Sequence, residues 1–227
     1  MKVFVFDLDD TLYEEITFVR SGFQAVASYL SEQFGINSQE AFSIMWDVLE
    51  QEGRGKVFDR VLEHYGMATR RNIRKCLSIY RLHRPDITLS PDADAVLKRL
   101  AVEGSPIYIV TDGNKVVQYN KIKALGLEER VRKCYITYRY GRHRSKPSPY
   151  CFQLIAQTEK VDPSDIIYIG DNPNKDFVGI RPLGYRTIRI RRGHFKDTVK
   201  PEEYNADVEV ETLDQLFETT TAWDVSQ

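Results

Sequence analysis

The sequence predicts an α/β protein, a Rossmann-like parallel-sheet core interrupted by an inserted block of four helices. Three observations lead there. Apolar strand-like runs alternate with helical stretches from residue 88 onward, the pattern of a parallel sheet covered on both faces. One further run, Val3 to Phe6, stands at the N-terminus with no strand near it in sequence, so it must join that later sheet. Between the two, residues 16–84 carry helical periodicity and no strand signal.

Val3 to Phe6 is β-branched or aromatic throughout, as expected of a strand buried on both faces. Ile16, Val19, Phe23, Val26, Leu30 and Phe34 then recur every three or four residues and form one apolar stripe. Gly35 closes that helix, and Ser38 is the expected cap of a second, with Phe42, Met45, Trp46 and Leu49. Val57, Phe58, Val61, Leu62 and Tyr65 mark a third, ended by Gly66. Ile73, Leu77 and Tyr80 mark a fourth, stopped at Arg84 by Pro85. Ser90-Pro91 opens a helix through Leu100. Strand 107–111, a helix over about 115–125, a strand near 134–137 and a helix opened by Ser148-Pro149 follow. Strand 166–170, a helix from about 174, and strands near 185–190 and 207–210 complete the core, with the tail after Trp223 expected to fray. The domains expected are therefore 1–15 with 88–227 as the core and 16–87 as a helical cap above the C-terminal strand edge.

Bulk properties narrow the class. Lys and Arg number 32 against 33 Asp and Glu, so no charge excess argues for nucleic acid or an anionic membrane. No apolar run approaches a membrane span, and the chain starts directly with a strand rather than a signal peptide. Cys76, Cys134 and Cys151 are widely spaced and form no metal-type pair, which suits free thiols in a reducing, cytoplasmic setting. The four histidines show no ligand spacing.

Chemistry concentrates where strands end. The first strand runs into Asp7, Asp9 and Asp10. Neighbours two apart on a strand face the same way, so Asp7 and Asp9 converge if the extended geometry persists, and their repulsion then calls for a metal ion or a shared proton. Other strand ends deliver Thr111, Asp112 and Gly113, then Lys146 just before a helix, then Asp171 and Asp176. Each has an ordinary reading: a strand-end hydroxyl, a surface lysine, a turn aspartate, a helix-start charge. Their arrival in order at one sheet edge is what favours a site.

In these residues the sequence resembles the phosphatase branch of the haloacid dehalogenase superfamily. Asp7-Leu8-Asp9-Asp10-Thr11 is similar to its D-x-D-x-T motif, and Thr111, Lys146, and Gly170-Asp171 with Asp176 match the other three. The resemblance spans the whole chain. It implies Asp7 as nucleophile and Asp9 as acid/base, with Thr111 and Lys146 completing the catalytic group. It implies phosphate contacts from Asp7, Thr111, Asp112, Gly113 and Lys146. It further implies Mg²⁺ on Asp7, Asp9 (through its backbone carbonyl), Asp171 and Asp176. The expected activity is hydrolysis of a small phosphorylated metabolite, a nucleoside monophosphate or a sugar or sialic-type acid phosphate, through an aspartyl-phosphate. The expected protein is a monomer or homodimer that binds neither nucleic acid nor membrane. A phosphomutase shares all four motifs, and a catalytically idle binding module is the alternative of another class. Dehalogenases lack the second acidic residue, so Asp9 argues against halide chemistry. A basic loop, Arg139, Arg142, His143 and Arg144, precedes Lys146 and is expected to hold a second anionic group.

Overall fold

The structure, a computed structural model, describes residues 2–225. Strand β1 (Val3–Phe6) leads into helices α1 (Glu15–Phe34), α2 (Ser38–Glu52), α3 (Val57–His64) and α4 (Arg70–Leu82). Then follow α5 (Pro91–Val102), β2 (Ile107–Thr111), α6 (Lys115–Ala124), β3 (Lys133–Ile136) and α7 (Tyr150–Glu159). Strands β4 (Ile166–Gly170), β5 (Arg186–Ile190) and β6 (Val208–Val210) precede a last helix, α8 (Leu216–Val225). The chain divides into two compact units, Met1–Glu15 with Thr88–Gln227, and Ile16–Ile87.

In the first unit the six strands form one sheet in the order β3-β2-β1-β4-β5-β6, every pairing parallel. The N-terminal strand therefore enters the centre of a sheet whose other strands lie a hundred residues away, and β1, β2 and β4 are buried at every position. Successive side chains face opposite layers. Val3, Val5, Tyr108, Val110, Ile166 and Tyr168 join Phe152, Ile155 and Phe177 in the core on one face. Chain order reverses across β1 and β4, so their C-terminal ends flank the switch point at which such sheets bind ligands.

The second unit has a core of its own. Phe23, Val26 and Leu30 of α1 pack with Ala41, Met45, Val61, Leu62 and Cys76 from the other three helices, and the rings of Phe23, Phe58 and Tyr80 meet at 5.5–6.1 Å.

Three local expectations change. Asn37, not Ser38, caps α2, its side chain accepting the Glu40 N–H. No helix begins at 174. The segment turns instead, because Asn172 accepts the Asn174 N–H, Asp176 folds back onto the Asn172 N–H, and Gly179 lies where a β-carbon would stand 1.7 Å from the Pro147 carbonyl oxygen. Helix α8 was not signalled by its Thr-rich sequence, although Thr212 and Gln215 just before it form a reciprocal capping box. Of the tail expected to fray, residues 226–227 lie outside the described residues.

Candidate active site

Strand β1 stops at Phe6, and the extended geometry does not persist. Asp10 takes a left-handed conformation with φ of +54°, tolerable for an aspartate in a turn. Its carboxylate accepts the N–H groups of Glu15 and His194, which accounts for the third acid of the run as a structural one. The turn separates Asp7 and Asp9 into different surroundings.

Asp7 lies in a buried knot with Lys146. The ammonium reaches Asp7 Oδ1 at 2.7 Å, Asp176 Oδ1 at 2.8 Å and the Tyr168 hydroxyl at 2.8 Å, so all three of its donors are used. Tyr168 also donates to Asp176, and the Asn172 N–H holds the second oxygen of Asp176. Burial alone would strip the charge from Lys146, yet Asp176 and Asp7 raise its pKa well above the usual lysine range. Asp7, Asp171 and Asp176 each offer an oxygen, all within 4.8 Å of one another. Among the described residues no donor reaches the Asp171 carboxylate. Burial, then the charges of Asp176 and Asp7, push Asp171 up to about 9, and burial with Asp176 pushes Asp7 to about 6 against the pull of Lys146. Asp176 goes the other way. Burial opposes its charge, but Lys146 and Lys175 outweigh burial and hold it low.

Such a cluster is one cation short. Three buried carboxylates share the Lys146 ammonium, Lys175 pairs with Asp112 at 3.4 Å, and among the described residues Asp171 has no donor of its own. Hard oxygen donors in this number fit Mg²⁺. Asp9 does not join them with its carboxylate. An expectation of Asp9 as a ligand therefore rests on its backbone carbonyl.

The Asp9 carboxylate turns to donors instead. Lys121 Nζ lies 2.6 Å and the Tyr13 hydroxyl 2.5 Å from Oδ1, while Gln118 Nε2 lies 2.8 Å from Oδ2. Burial opposes its charge, but Lys121, with Tyr13 and Gln118, wins and lowers its pKa below the ordinary carboxylate value.

Thr111, at the end of β2, is buried beside this group, its hydroxyl 2.7 Å from Gln118 Nε2. The Asp112 carboxylate accepts from the Thr137 hydroxyl at 2.6 Å and the Lys146 backbone N–H at 3.2 Å, so it anchors the lysine loop, and the phosphate contact expected of this residue falls to its backbone N–H. Gly113 follows with φ of +139°. The arginines of the basic loop stack on rings, Arg144 over Tyr150 at 3.8 Å and Arg139 over Tyr119 at 5.5 Å. The three cysteines are free, and burial pushes Cys76 and Cys151 to about 11 and Cys134 to about 12, which leaves them unreactive thiols.

Reading the sequence missed Tyr13, Gln118, Lys121, Tyr168 and Lys175. Gln118 and Lys121 left a signal. They occupy buried positions of α6 beside Ile122, where an apolar stripe is expected, and a polar residue there has to be paired with something.

Residues 1–184 match the family model of haloacid dehalogenase-like hydrolases. The chain belongs to that family. It is similar to the glyceraldehyde 3-phosphate phosphatase of Methanocaldococcus jannaschii, with 28% identity and 96% of each chain covered. It is likewise similar to the phosphoserine phosphatase of Thermus thermophilus, with 27% identity over 96% of this chain and 98% of that one. Among solved structures, the HAD-hydrolase YfnB from Bacillus subtilis bound to magnesium shares the fold, with a TM-score of 0.65, 19% identity, and 96% and 97% of the two chains covered. The family is thus a hydrolase family in which most relatives similar to this chain are named as phosphatases, while one, from Pseudomonas, is named as a haloacid dehalogenase. Among the described residues, no helix of this member is long and apolar enough to cross a membrane.

Proposed function

We propose that the protein is a Mg²⁺-dependent phosphatase of small phosphate monoesters, working through an aspartyl-phosphate on Asp7. The observation that carries this is the difference between its two aspartates, one beside a buried lysine and a carboxylate that no donor among the described residues reaches, the other among proton donors. Asp7 attacks phosphorus with a carboxylate oxygen while Lys146 offsets the negative charge that gathers there. The ester's bridging oxygen leaves with a proton from Asp9. An arriving phosphate dianion raises the proton affinity of Asp9, which favours the acid form when it is needed. Water then attacks the phosphorus of the acyl phosphate, Asp9 takes the water's proton, and the bond from phosphorus to the Asp7 oxygen breaks, so that inorganic phosphate departs with Asp7 restored. Thr111 donates to a phosphoryl oxygen. Mg²⁺, held by Asp7, Asp171, the Asp9 carbonyl and, directly or through water, Asp176, would neutralise the carboxylates and a phosphoryl oxygen. The 16–87 unit is the proposed seat of substrate selection.

Relatives at similar identity bear the names of different substrates, so we propose a class: short, polar phosphomonoesters, three-carbon and hydroxy-amino-acid phosphates before nucleotides. Release of inorganic phosphate is to be measured over glyceraldehyde 3-phosphate, phosphoserine, hexose phosphates and nucleoside monophosphates, with Mg²⁺ and with chelator. Turnover undiminished in chelator refutes the metal. Transfer of phosphate to a second sugar hydroxyl without release would mark a mutase, and inertness towards every ester a binding module.

A further inference from the structure

The geometry points to Gln118 as a positioning residue that joins the phosphate-holding hydroxyl of Thr111 to the proton-transferring carboxylate of Asp9 in one hydrogen-bonded unit, with Lys121 and Tyr13 fixing the far side of Asp9. This rests on the phosphatase reading above. The chain of reasoning starts from what each group can do. An ionised carboxylate only accepts hydrogen bonds, so the Gln118 amide must turn its nitrogen, not its oxygen, toward Asp9 Oδ2, 2.8 Å away. That NH₂ group has two hydrogens, and the second goes to Thr111 Oγ1 at 2.7 Å. The Thr111 hydroxyl is therefore an acceptor toward Gln118, and its own hydrogen points elsewhere. Among the described residues no acceptor takes it, although the residue is 1% exposed. A hydroxyl rotor is normally free to choose. Here it is held with its donor side open, ready for a phosphoryl oxygen.

The surroundings are built for this. Gln118 is 3% exposed and packs closely against Gly113. A β-carbon there would lie 3.1 Å from Gln118 Cγ and 3.3 Å from its Oε1. Gly113 thus makes room for the amide, a role beyond the anion contact expected of it. On the other side of Asp9, Lys121 and Tyr13 both bind Oδ1, which leaves the carboxylate plane no freedom to swing. The Lys121 side chain is itself 3% exposed.

The test compares Gln118→Met, which keeps the volume and removes both donors, with Gln118→Glu, which keeps the shape and replaces the donor by an acceptor. Circular dichroism and thermal melting first establish that each is folded. Binding of inorganic phosphate in the presence of Mg²⁺ is measured by calorimetry, and kcat and KM on p-nitrophenyl phosphate and on glycerol phosphate. Both variants should bind phosphate about tenfold more weakly. In a Thr111→Val background the Gln118→Met change should add less than about twofold, since the hydroxyl it orients is gone. Lys121→Met should leave phosphate affinity unchanged yet lower kcat on glycerol phosphate far more than on p-nitrophenyl phosphate, whose leaving group needs no proton. Lys121→Arg should restore much of the loss. Additive effects of Thr111 and Gln118, or phosphate affinity within twofold of wild type in both folded Gln118 variants, overturn the inference. Wild-type protein that binds phosphate but hydrolyses no ester overturns the phosphatase reading, while the Thr111–Gln118 coupling still decides the inference. Wild-type protein that binds no phosphate overturns both.

Discussion

Asp7 and Asp9 stand two residues apart in one turn and live in opposite electrostatic worlds. Asp7 shares its space with Asp171 and Asp176, and burial there pushes two of the three acids upward. Asp9 shares its space with an ammonium, a phenol and an amide, and is held low. The first environment lacks positive charge and is completed by something arriving. The second is complete already, and its carboxylate can only exchange a proton. Such a split between neighbouring acids assigns their chemistry without reference to substrate.

Breaking the Asp7 side has the largest expected effect. Asp7→Asn should lower kcat by roughly a thousandfold or more on every ester, because an amide forms no acyl phosphate. Asp9→Asn should be selective, severe for glycerol phosphate and milder for p-nitrophenyl phosphate. A rapid acid quench during turnover, followed by borohydride reduction, should convert Asp7 to homoserine, because an acyl phosphate is reduced and a free carboxylate is not. Asp7 recovered intact would mean water attacks the ester directly.

Metal and pH sharpen the comparison next. In metal-free protein Asp171 and Asp7 keep protons that the unfolded chain has already released, since their pKa values rise from 3.8 to about 9 and about 6. The folded state binds more protons, so stability falls as pH rises from about 4, through the Asp7 value and then the Asp171 value. Asp9 and Asp176 are lowered, and their contribution has the reverse sign, present above the unfolded value and lost as pH falls. Thermal melting of metal-free protein should therefore show Tm falling on the alkaline side. Mg²⁺ should reverse that fall, because it replaces the protons. Asp171→Asn should flatten the alkaline fall and abolish the Mg²⁺ response, while Asp9→Asn should flatten only the acid side. A Mg²⁺ response that survives in Asp171→Asn would place the ion elsewhere.

A structural substitution can disturb one side alone. A β-carbon at Gly179 would strike the Pro147 carbonyl, the residue after Lys146, and nothing near Asp9. Gly179→Ala should cost about 1–3 kcal/mol of stability by denaturant titration. Its kcat should fall on both test esters alike, since Lys146 moves against Asp7 while the acid stays in place. A loss confined to glycerol phosphate would show that the two environments are not independent.

What could be read from the sequence divides along the same line. The sheet, the four inserted helices and the motif residues announce themselves, because a buried parallel strand is apolar without interruption and its ending in charge is conspicuous. Asp7 and Asp171 are visible as strand-end residues of this kind, and Lys146 and Asp176 as charges in the segments that follow strands. The surroundings of Asp9 are not, since Gln118 and Lys121 come from the interior of α6 and Tyr13 from the far side of a turn, and only tertiary packing brings them together. The turning segment after Asp171 was misjudged for a related reason. Its bend is fixed by Asn172, by Asp176 and by contact with a distant proline, and none of these is a local propensity.

The smallest effect is expected at Arg144. The sequence places it beside Lys146, where a guanidinium could clamp a remote anion and raise kcat/KM for one substrate. In the structure its guanidinium lies 3.8 Å over the Tyr150 ring, at the start of α7, and its Nε donates to His143 Nε2 at 3.3 Å, so the side chain is already engaged by two neighbours. The contact should contribute about 0.5–1 kcal/mol to stability. Arg144→Ala should therefore lower Tm slightly and leave p-nitrophenyl phosphate turnover as it was. Arg144→Lys keeps the charge but loses the planar stack. If the arginine only packs, Ala and Lys variants should show the same kcat/KM as wild type on every ester that carries a second anionic group, phosphoserine among them. If it also clamps, phosphoserine alone should suffer, by about tenfold in Ala and less in Lys, because a charge-assisted contact is lost in the first and weakened in the second. The stacked geometry favours the first outcome, and a selective loss on phosphoserine would correct it.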